Sequence, residues 1–337
     1  MNIKEVARLA GVSTATVSRT INGSDKVTPE TAERVKRAIE QLKFYPNTNA
    51  RALGSGKSSL YGLIISDITN PFFPELVKSF EDVAVQYGQE VLIANTNYDK
   101  HRMEHCVVRM VQRKVDGVAI MTSEMEEHLI DELRGRRIPL VFLDMGQVEL
   151  GISNIAVDYP AGVYAAVELL RGLGHAKIGF ISGPMELTSA KIRRKAFVTS
   201  MKRQGLTVDK DFMEEGDHRM EGGRAAMLRL LDKKKRPTAV LTSNDLTAIG
   251  AMGAIAERGL DVPGDISVIG FDDIGLSAYT KPALTTVRLP RDEVARAAFK
   301  ALYGPAKAPM EEGVEYRVQP TLIVRQSTGP VGSRKSS

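Results

Sequence analysis

The 337-residue chain has no tryptophan and a single cysteine, Cys106, and only 6% of its residues are aromatic. One cysteine forms no internal disulfide, which excludes a disulfide-stapled scaffold and fits a reducing cytosol. No apolar run approaches the ~20 residues needed to cross a bilayer, so no membrane span is expected. The first residues, MNIKEVARLAGVS, put Glu5 and Arg8 inside what a secretion signal would need as an uncharged core. Secretion is not expected; a cytoplasmic location is. Catalytic signatures are equally scarce, with no G-x-x-x-x-G-K-[ST] phosphate loop and no G-x-S-x-G elbow. Of the five histidines only His101 and His105 form a close pair, four apart on a charge-rich helix. With no third ligand nearby in sequence, a solvated helix face accounts for them better than a metal does. Cys106 faces away from the pair and reads as buried packing. No enzyme, metal or cofactor is expected.

What is present is unevenly distributed. The net charge is +5, and residues 1–58 carry ten of the 46 Lys/Arg but five of the 41 Asp/Glu, so the rest of the chain is neutral. A basic surface is either a solvated face or a phosphate-binding one, and the underlying motif must decide. In KEVARLA (4–10), Val6, Leu9 and Ala10 lie at helical spacing, and Gly11 ends the helix because glycine accepts the left-handed conformation. Val12 is expected to bury in the turn, and Ser13 to cap a second helix on which Val17 and Ile21 lie four apart. Asn22-Gly23 ends that helix. Thr28-Pro29-Glu30 reads as cap, proline at N1 and acid against the dipole of a third helix, whose apolar face is Val35, Ile39 and Leu42. This is a helix-turn-helix arrangement. Opposite Val17 and Ile21 the second helix presents Thr14, Ala15, Ser18 and Arg19, sized to approach base edges in a major groove. A small three-helix domain for protein contacts is the alternative; the local basic charge favours DNA.

From residue 60 the texture changes. YGLIISDI, EVLIANT, DGVAIMTS and PLVFLDMG read as buried parallel strands, alternating with helical stretches such as PELVKSFEDVAVQYG and RMEHCVVRMVQRKV. After about residue 160 the alternation restarts with KIGFISG, TAVLTSND and ISVIGFDD as strands. Two successive β/α sets imply two doubly wound parallel-sheet lobes with a cleft where strand C-terminal ends meet. Those ends carry Asp67 to Phe73, Asp144, Asn244-Asp245 and Asp272-Asp273. For any single carboxylate a helix N-cap is the commoner role; the cluster is what suggests a ligand.

The headpiece stretches IKEVARLAGVSTATVSRTING and VTPETAERVKRAIEQLKFYPNTNARALGSGKS closely resemble the LacI/GalR family of bacterial repressors. The core resembles that family's regulatory domain and its periplasmic sugar-binding relatives, through NPFF (70–73), RKVDGVAIM (113–121), GHAKIGFISGP (174–184), SND (243–245), VPGDISVIGFDD (262–273) and PALTTV (282–287). The resemblance implies an all-α helix-turn-helix headpiece on a periplasmic-binding-protein-like α/β core. It also implies a homodimeric repressor of a pseudo-palindromic double-stranded DNA operator, controlled by a small molecule in the interlobe cleft. By the same resemblance Thr14 and Ala15 open the recognition helix, Arg19 reads a guanine, and Ser18, Asn47 and Arg51 join the DNA contacts. Leu53 is expected to wedge into a base step from the minor groove; read alone, it would cap an amphipathic linker. Carried over position by position, the family pocket implicates Phe72, Phe73, Asp144, Arg193, His218, Asn244 and Asp272. The middle of the core looks most like purine-sensing members, yet Leu187 stands where they carry a purine-reading arginine and His218 where relatives carry an aromatic platform. Both departures point to a sugar or sugar acid. The expected divisions are a DNA-binding domain at 1–45, a hinge at 46–58, and a core at 59–328. Within the core the N-lobe takes about 59–158 and 287–317, the C-lobe about 159–286 and 318–328, and residues 329–337 form a disordered tail. TTVRLP, DEVARAAFKALYG and TLIVRQS are expected to return to the first lobe and finish on the second. No heptad-like C-terminal helix suggests a tetramer. The alternatives are a stand-alone sugar-binding module without DNA recognition, which the basic headpiece counts against, and an α/β enzyme, which lacks a catalytic set.

Overall fold

The computed structural model describes residues 2–21, 23–44, 57–122, 125–144, 148–303 and 312–332. The headpiece forms α1 (Ile3–Ala10), α2 (Thr14–Ile21) and α3 (Pro29–Gln41). Its boundaries follow from the expected caps. The Asn2 side chain accepts from the Lys4 and Glu5 amides, Gly11 takes φ +65°, and Ser13 Oγ accepts from Thr16 N at 3.1 Å. Thr28 caps α3 with Pro29 at its first position. The small core is Val6, Ala7, Ala10, Val17, Val35 and Ala38. Two expectations change here: Leu9 is exposed, because Ala7 completes the i, i+3, i+4 face instead, and Val12 is only half-buried.

The core contains two six-stranded sheets. The first comprises β1 (Leu60–Ile65), β2 (Glu90–Asn95), β3 (Gly117–Met121), β4 (Leu140–Leu143), β5 (Ile152–Val157) and β11 (Glu315–Val318), in the order β2-β1-β3-β4-β5-β11, all parallel. The second comprises β6 (Ile178–Ser182), β7 (Met213–Glu215), β8 (Ala239–Thr242), β9 (Ser267–Asp272), β10 (Thr285–Arg288) and β12 (Thr321–Ile323). Its order is β7-β6-β8-β9-β10-β12, parallel except for β12. The two sheets therefore share one doubly wound topology. In each, the strand order reverses between the first and third strands, which opens a crevice at the strand C-terminal ends. Crossovers on the first are α4 (Phe72–Gln86), α5 (Lys100–Gln112) and α6 (Glu127–Gly135); on the second, α7 (Tyr159–Gly172), α8 (Thr188–Arg203), α9 (Met220–Leu231) and α10 (Asp245–Glu257). The near-continuous apolar strands, such as fully buried GVAIM in β3, are what a sheet covered on both faces requires.

The chain then crosses back. TTVR, expected to begin the return, instead adds β10 to the second sheet beside β9; α11 (Arg291–Leu302) makes the crossing and packs against α4, β3 and β4. Three strands, β5, β7 and β11, escaped sequence reading: β5 mixes polar Ser153 and Asn154 into its run, and β7 and β11 are short edge strands rich in charge. The expected disordered tail is corrected at its start. Gly329 is buried, its carbonyl accepts from the His175 ring and Ser267 Oγ, and Val331 N bonds Leu173 O at 3.0 Å; residues 333–337 lie outside the described residues. His175 also meets Thr238 Oγ1 at 2.9 Å and Ser267 Oγ at 3.1 Å, tying the end of α7, the start of β8, β9 and the C-terminal segment together. His175→Ala removes one buried partner from each of these groups and leaves a cavity, and is expected to cost about 2 kcal/mol, read as an earlier urea midpoint. An unchanged midpoint would mean that their remaining bonds, to Lys177 O and between Ser267 and Gly329, suffice.

Candidate functional site

A cleft of about 690 Å³, its open mouth included, lies between the two sheets. Nearly every strand delivers a residue to it from its C-terminal end. Ser66 and Asn70 follow β1, Tyr98 follows β2, Thr122 follows β3, Asp144 follows β4, and Tyr159 follows β5. From the second sheet come Leu187, Thr188, Ser189 and Arg193 after β6, His218 after β7, Asn244 after β8, Asp272 ending β9, and Leu289 after β10. Phe72 and Phe73, edge to face at 5.2 Å, form an apolar wall at the start of α4. The structure thus gathers Phe72, Phe73, Asp144, Arg193, His218, Asn244 and Asp272 around one cavity. Sequence reading missed Tyr98, Thr122, Tyr159 and Ser189; Thr122 directly follows a strand and Tyr159 and Ser189 lie at helix starts, which was the available signal, whereas Tyr98 sits in the loop after β2.

Arg193 is the electrostatic centre. Its guanidinium lies over the rings of Tyr159 (4.8 Å) and Phe271 (4.5 Å), Nη1 donates to Ser243 O, and Nη2 stands 3.6 Å from Asp272 Oδ1. Its Nε is buried without a partner among the described residues, as are Thr122 Oγ1 and His218 Nε2. Buried polar atoms are normally hydrogen-bonded; Thr122, Arg193 and His218 all line the cavity, and of the three atoms His218 Nε2 lies against Gly183. Burial, opposed by Arg193 and Arg291 and aided by Glu75, pushes Asp272 up to about 6. Burial with the Arg193 charge pushes His218 down to about 3, so the ring is neutral. Asp144 is also raised by burial, against the pull of its donors, Tyr159 Oη at 2.7 Å and Val157 N at 2.8 Å. No group of His, Cys, Asp and Glu among the described residues is arranged to hold a metal ion.

The remaining strand-end residues sort into structural roles. Asn244 Oδ1 caps α10 through Thr247 N, and its Nδ2 donates to His218 O at 2.9 Å, so its amide shapes the wall. Asp245 is fully buried and accepts from Thr286, Ser277 and Ile274 N. Asp273 pairs with Arg288 and Arg325. Asp67 bonds the Thr69 hydroxyl and amide and meets Arg219 across the cleft at 3.4 Å; against the penalty of burial these partners hold its carboxyl below the ordinary range. His101 and His105 lie on an exposed helix face, and Cys106 is buried. In the headpiece, Thr14, Ala15, Ser18 and Arg19 are all exposed along α2, opposite buried Val17. Asn47, Arg51 and Leu53 lie outside the described residues.

Comparison with known proteins agrees with this geometry. Residues 2–47 match the model of bacterial regulatory proteins of the lacI family, and residues 167–328 match the periplasmic binding protein-like domain. The chain is 35% identical over 327 residues to the HTH-type transcriptional repressor PurR of Proteus mirabilis, covering 96% of each chain. It is also 35% identical to the ribose operon repressor of Escherichia coli, covering 96% of this chain and 99% of that one. The crystal structure of the lac repressor dimer bound to operator and the anti-inducer ONPF superposes with a TM-score of 0.86 at 27% identity, covering 98% of this chain and 99% of that one.

Proposed function

The chain belongs to the LacI family of bacterial regulatory proteins, and from that membership we propose that it represses transcription as a homodimer whose hold on operator DNA is set by a sugar or sugar acid in the interlobe cavity. It is a DNA-binding transcriptional regulator and not an enzyme. Among the described residues no helix is long and apolar enough to cross a membrane, and the proposed site of action is the cytoplasm. Residues 1–45 serve as the DNA-binding unit, 46–58 as the hinge and 59–328 as the two-lobed sensor.

The observation that carries the effector reading is that Thr122 Oγ1 and Arg193 Nε, buried and without a partner among the described residues, belong to residues lining the same cavity as Phe72 and Phe73. A sugar offers that combination of hydroxyls and one apolar face, with a ring to pack on an aromatic side chain. Leu187 on the cavity wall offers no hydrogen bond to a purine. Calorimetric titration with D-ribose, D-galactose, D-gluconate and hypoxanthine tests the reading. One of the first three is expected to bind, and tight binding of hypoxanthine would overturn it.

For DNA, the reading rests on four exposed side chains of α2 and on the excess basic charge of the first 58 residues. Arg19→Ala is expected to lower operator affinity by ~1–3 kcal/mol and to relax base preference at one half-site position. Fluorescence anisotropy over a panel of substituted duplexes measures both. A uniform loss across all sequences would reassign Arg19 to a phosphate.

A further inference from the structure

Asp272 is the last residue of β9, and its backbone holds φ +107°, a region that favours glycine. Asp273 follows at φ +56°. A non-glycine residue persists there only when its surroundings over-determine it. Part of that restraint is local to the second sheet, where Leu289 N donates to Asp272 O and Arg288 and Arg325 pair with the Asp273 carboxylate; the rest comes from the other lobe. Arg291, the first residue of α11, donates from Nη1 to Asp272 O at 2.7 Å and from Nη2 to Asp273 O at 2.9 Å. The same Nη2 meets Glu75 Oε2 of α4 at 2.9 Å. Glu75 Oε1 in turn accepts from Gly275 N, three residues beyond Asp272, at 2.9 Å. Ser79 Oγ donates to Asp292 Oδ1 at 2.6 Å, which fastens the start of α11 to α4 behind the pair. Neither Glu75 nor Arg291 lines the cavity.

We propose that Glu75 and Arg291 are positioning residues for effector binding: from the first lobe they hold the end of β9 in its strained conformation and so aim the Asp272 carboxylate at the cavity and at Arg193. This rests on the effector reading of the cavity. An effector hydroxyl that draws on Asp272 thereby loads a bracket spanning the lobes, so occupancy and lobe arrangement become linked through one loop. Linkage of that kind is reciprocal: whatever shifts the lobes shifts the carboxylate.

The charges facing Asp272 are Arg193 and Arg291, with Glu75 and Asp245 as the negative neighbours. Carboxyl carbon NMR on the full chain, with the Asp272 signal assigned by loss in Asp272→Asn, follows its titration directly and needs no effector. Arg291→Gln is expected to raise the Asp272 midpoint and Glu75→Gln to lower it, each by about one pH unit. In both, hydrogen exchange at Gly275 N is expected to quicken about ten-fold, which corresponds to ~1.4 kcal/mol of lost protection. Arg291→Lys keeps the charge but not the fork that reaches two carbonyls, so it restores the midpoint and leaves exchange fast. Arg219→Ala, which breaks the interlobe pair with Asp67, serves as the control and changes neither readout. Unchanged midpoint and exchange in Arg291→Gln and Glu75→Gln, or the same changes in Arg219→Ala, would overturn the proposal. If no sugar binds while these shifts occur, the effector reading fails and the bracket stands.

Discussion

Asp245→Ala is expected to lower folding stability by about 4 kcal/mol, because it strands three buried donors at once. Thr286 Oγ1 donates to Asp245 Oδ1, while Ser277 Oγ (2.7 Å) and Ile274 N (2.8 Å) donate to Oδ2. The carboxyl sits at the start of α10 against β9, where Gly270 has no Cβ; one added there would stand 2.1 Å from Asp245 Oδ1. Asp245→Asn should be milder, about 1–2 kcal/mol. The Thr286 hydroxyl can rotate to accept from the amide nitrogen, and the amide oxygen can keep Ile274 N. The sign of the pH dependence separates the two forms further. Burial, with the Asp272 charge behind it, raises Asp245 to about 8 despite its three donors. Folded protein therefore keeps a proton that the unfolded chain loses near pH 4, and stability falls as pH rises from there through 8. The asparagine variant lacks this decline, so the gap between it and the parent narrows with rising pH. Urea denaturation at pH 5, 7 and 9 reads this; parallel curves would place the carboxylate in the same charge state folded and unfolded.

The second large effect comes from His218. Its ring packs so closely on Gly183 that a Cβ there would fall 1.8 Å from Nε2, and burial with the Arg193 charge holds it neutral down to about pH 3. The unfolded chain takes up a proton near pH 6.5. Below that, the folded state binds fewer protons than the unfolded one, so stability drops as pH falls from 6.5 towards 3, by ~4 kcal/mol over the window. Asp245 and Asp272 work in the opposite sense over part of this range, which masks the histidine in the parent protein alone. The difference between the parent and His218→Phe isolates it. Overpacking against Gly183 would offset the variant's curve by a constant, whereas removal of the proton uptake changes its slope. A constant difference between pH 7 and 4 would show that the ring already binds a proton in the folded state.

The two kinds of site differed in how far they could be read from sequence. In the headpiece, each signal is a contact between residues a few positions apart: Ser13 with Thr16, Thr28 with Thr31, and Gly11 at its left-handed turn. Such contacts are written in the order of the chain. Leu9 was misplaced because helical periodicity alone leaves the edge of an apolar face ambiguous, and Ala7 filled it. In the core, strand ends drew attention to Asp144, Asn244 and Asp272, but not to their division of labour. Asn244 is consumed by Thr247 and His218, whereas Asp272 has only the 3.6 Å approach of Arg193. Tyr159 donates to Asp144 from 15 residues away, and the TTVR strand joined the second sheet by pairing with β9. Neither depends on anything local.

The sequence by itself determined the helix-turn-helix and the alternation that builds two doubly wound sheets, because periodicity, caps and motifs act over a few residues. Only the tertiary structure decided which polar groups are left without partners at the cleft, which carboxylates are spent on helices and arginines, and that Glu75 and Arg291 of one lobe hold Asp272 of the other. The physical reason is that burial and hydrogen-bond satisfaction depend on distances between groups as far as 213 positions apart, and those distances exist only once both sheets have formed and the chain has crossed back between them.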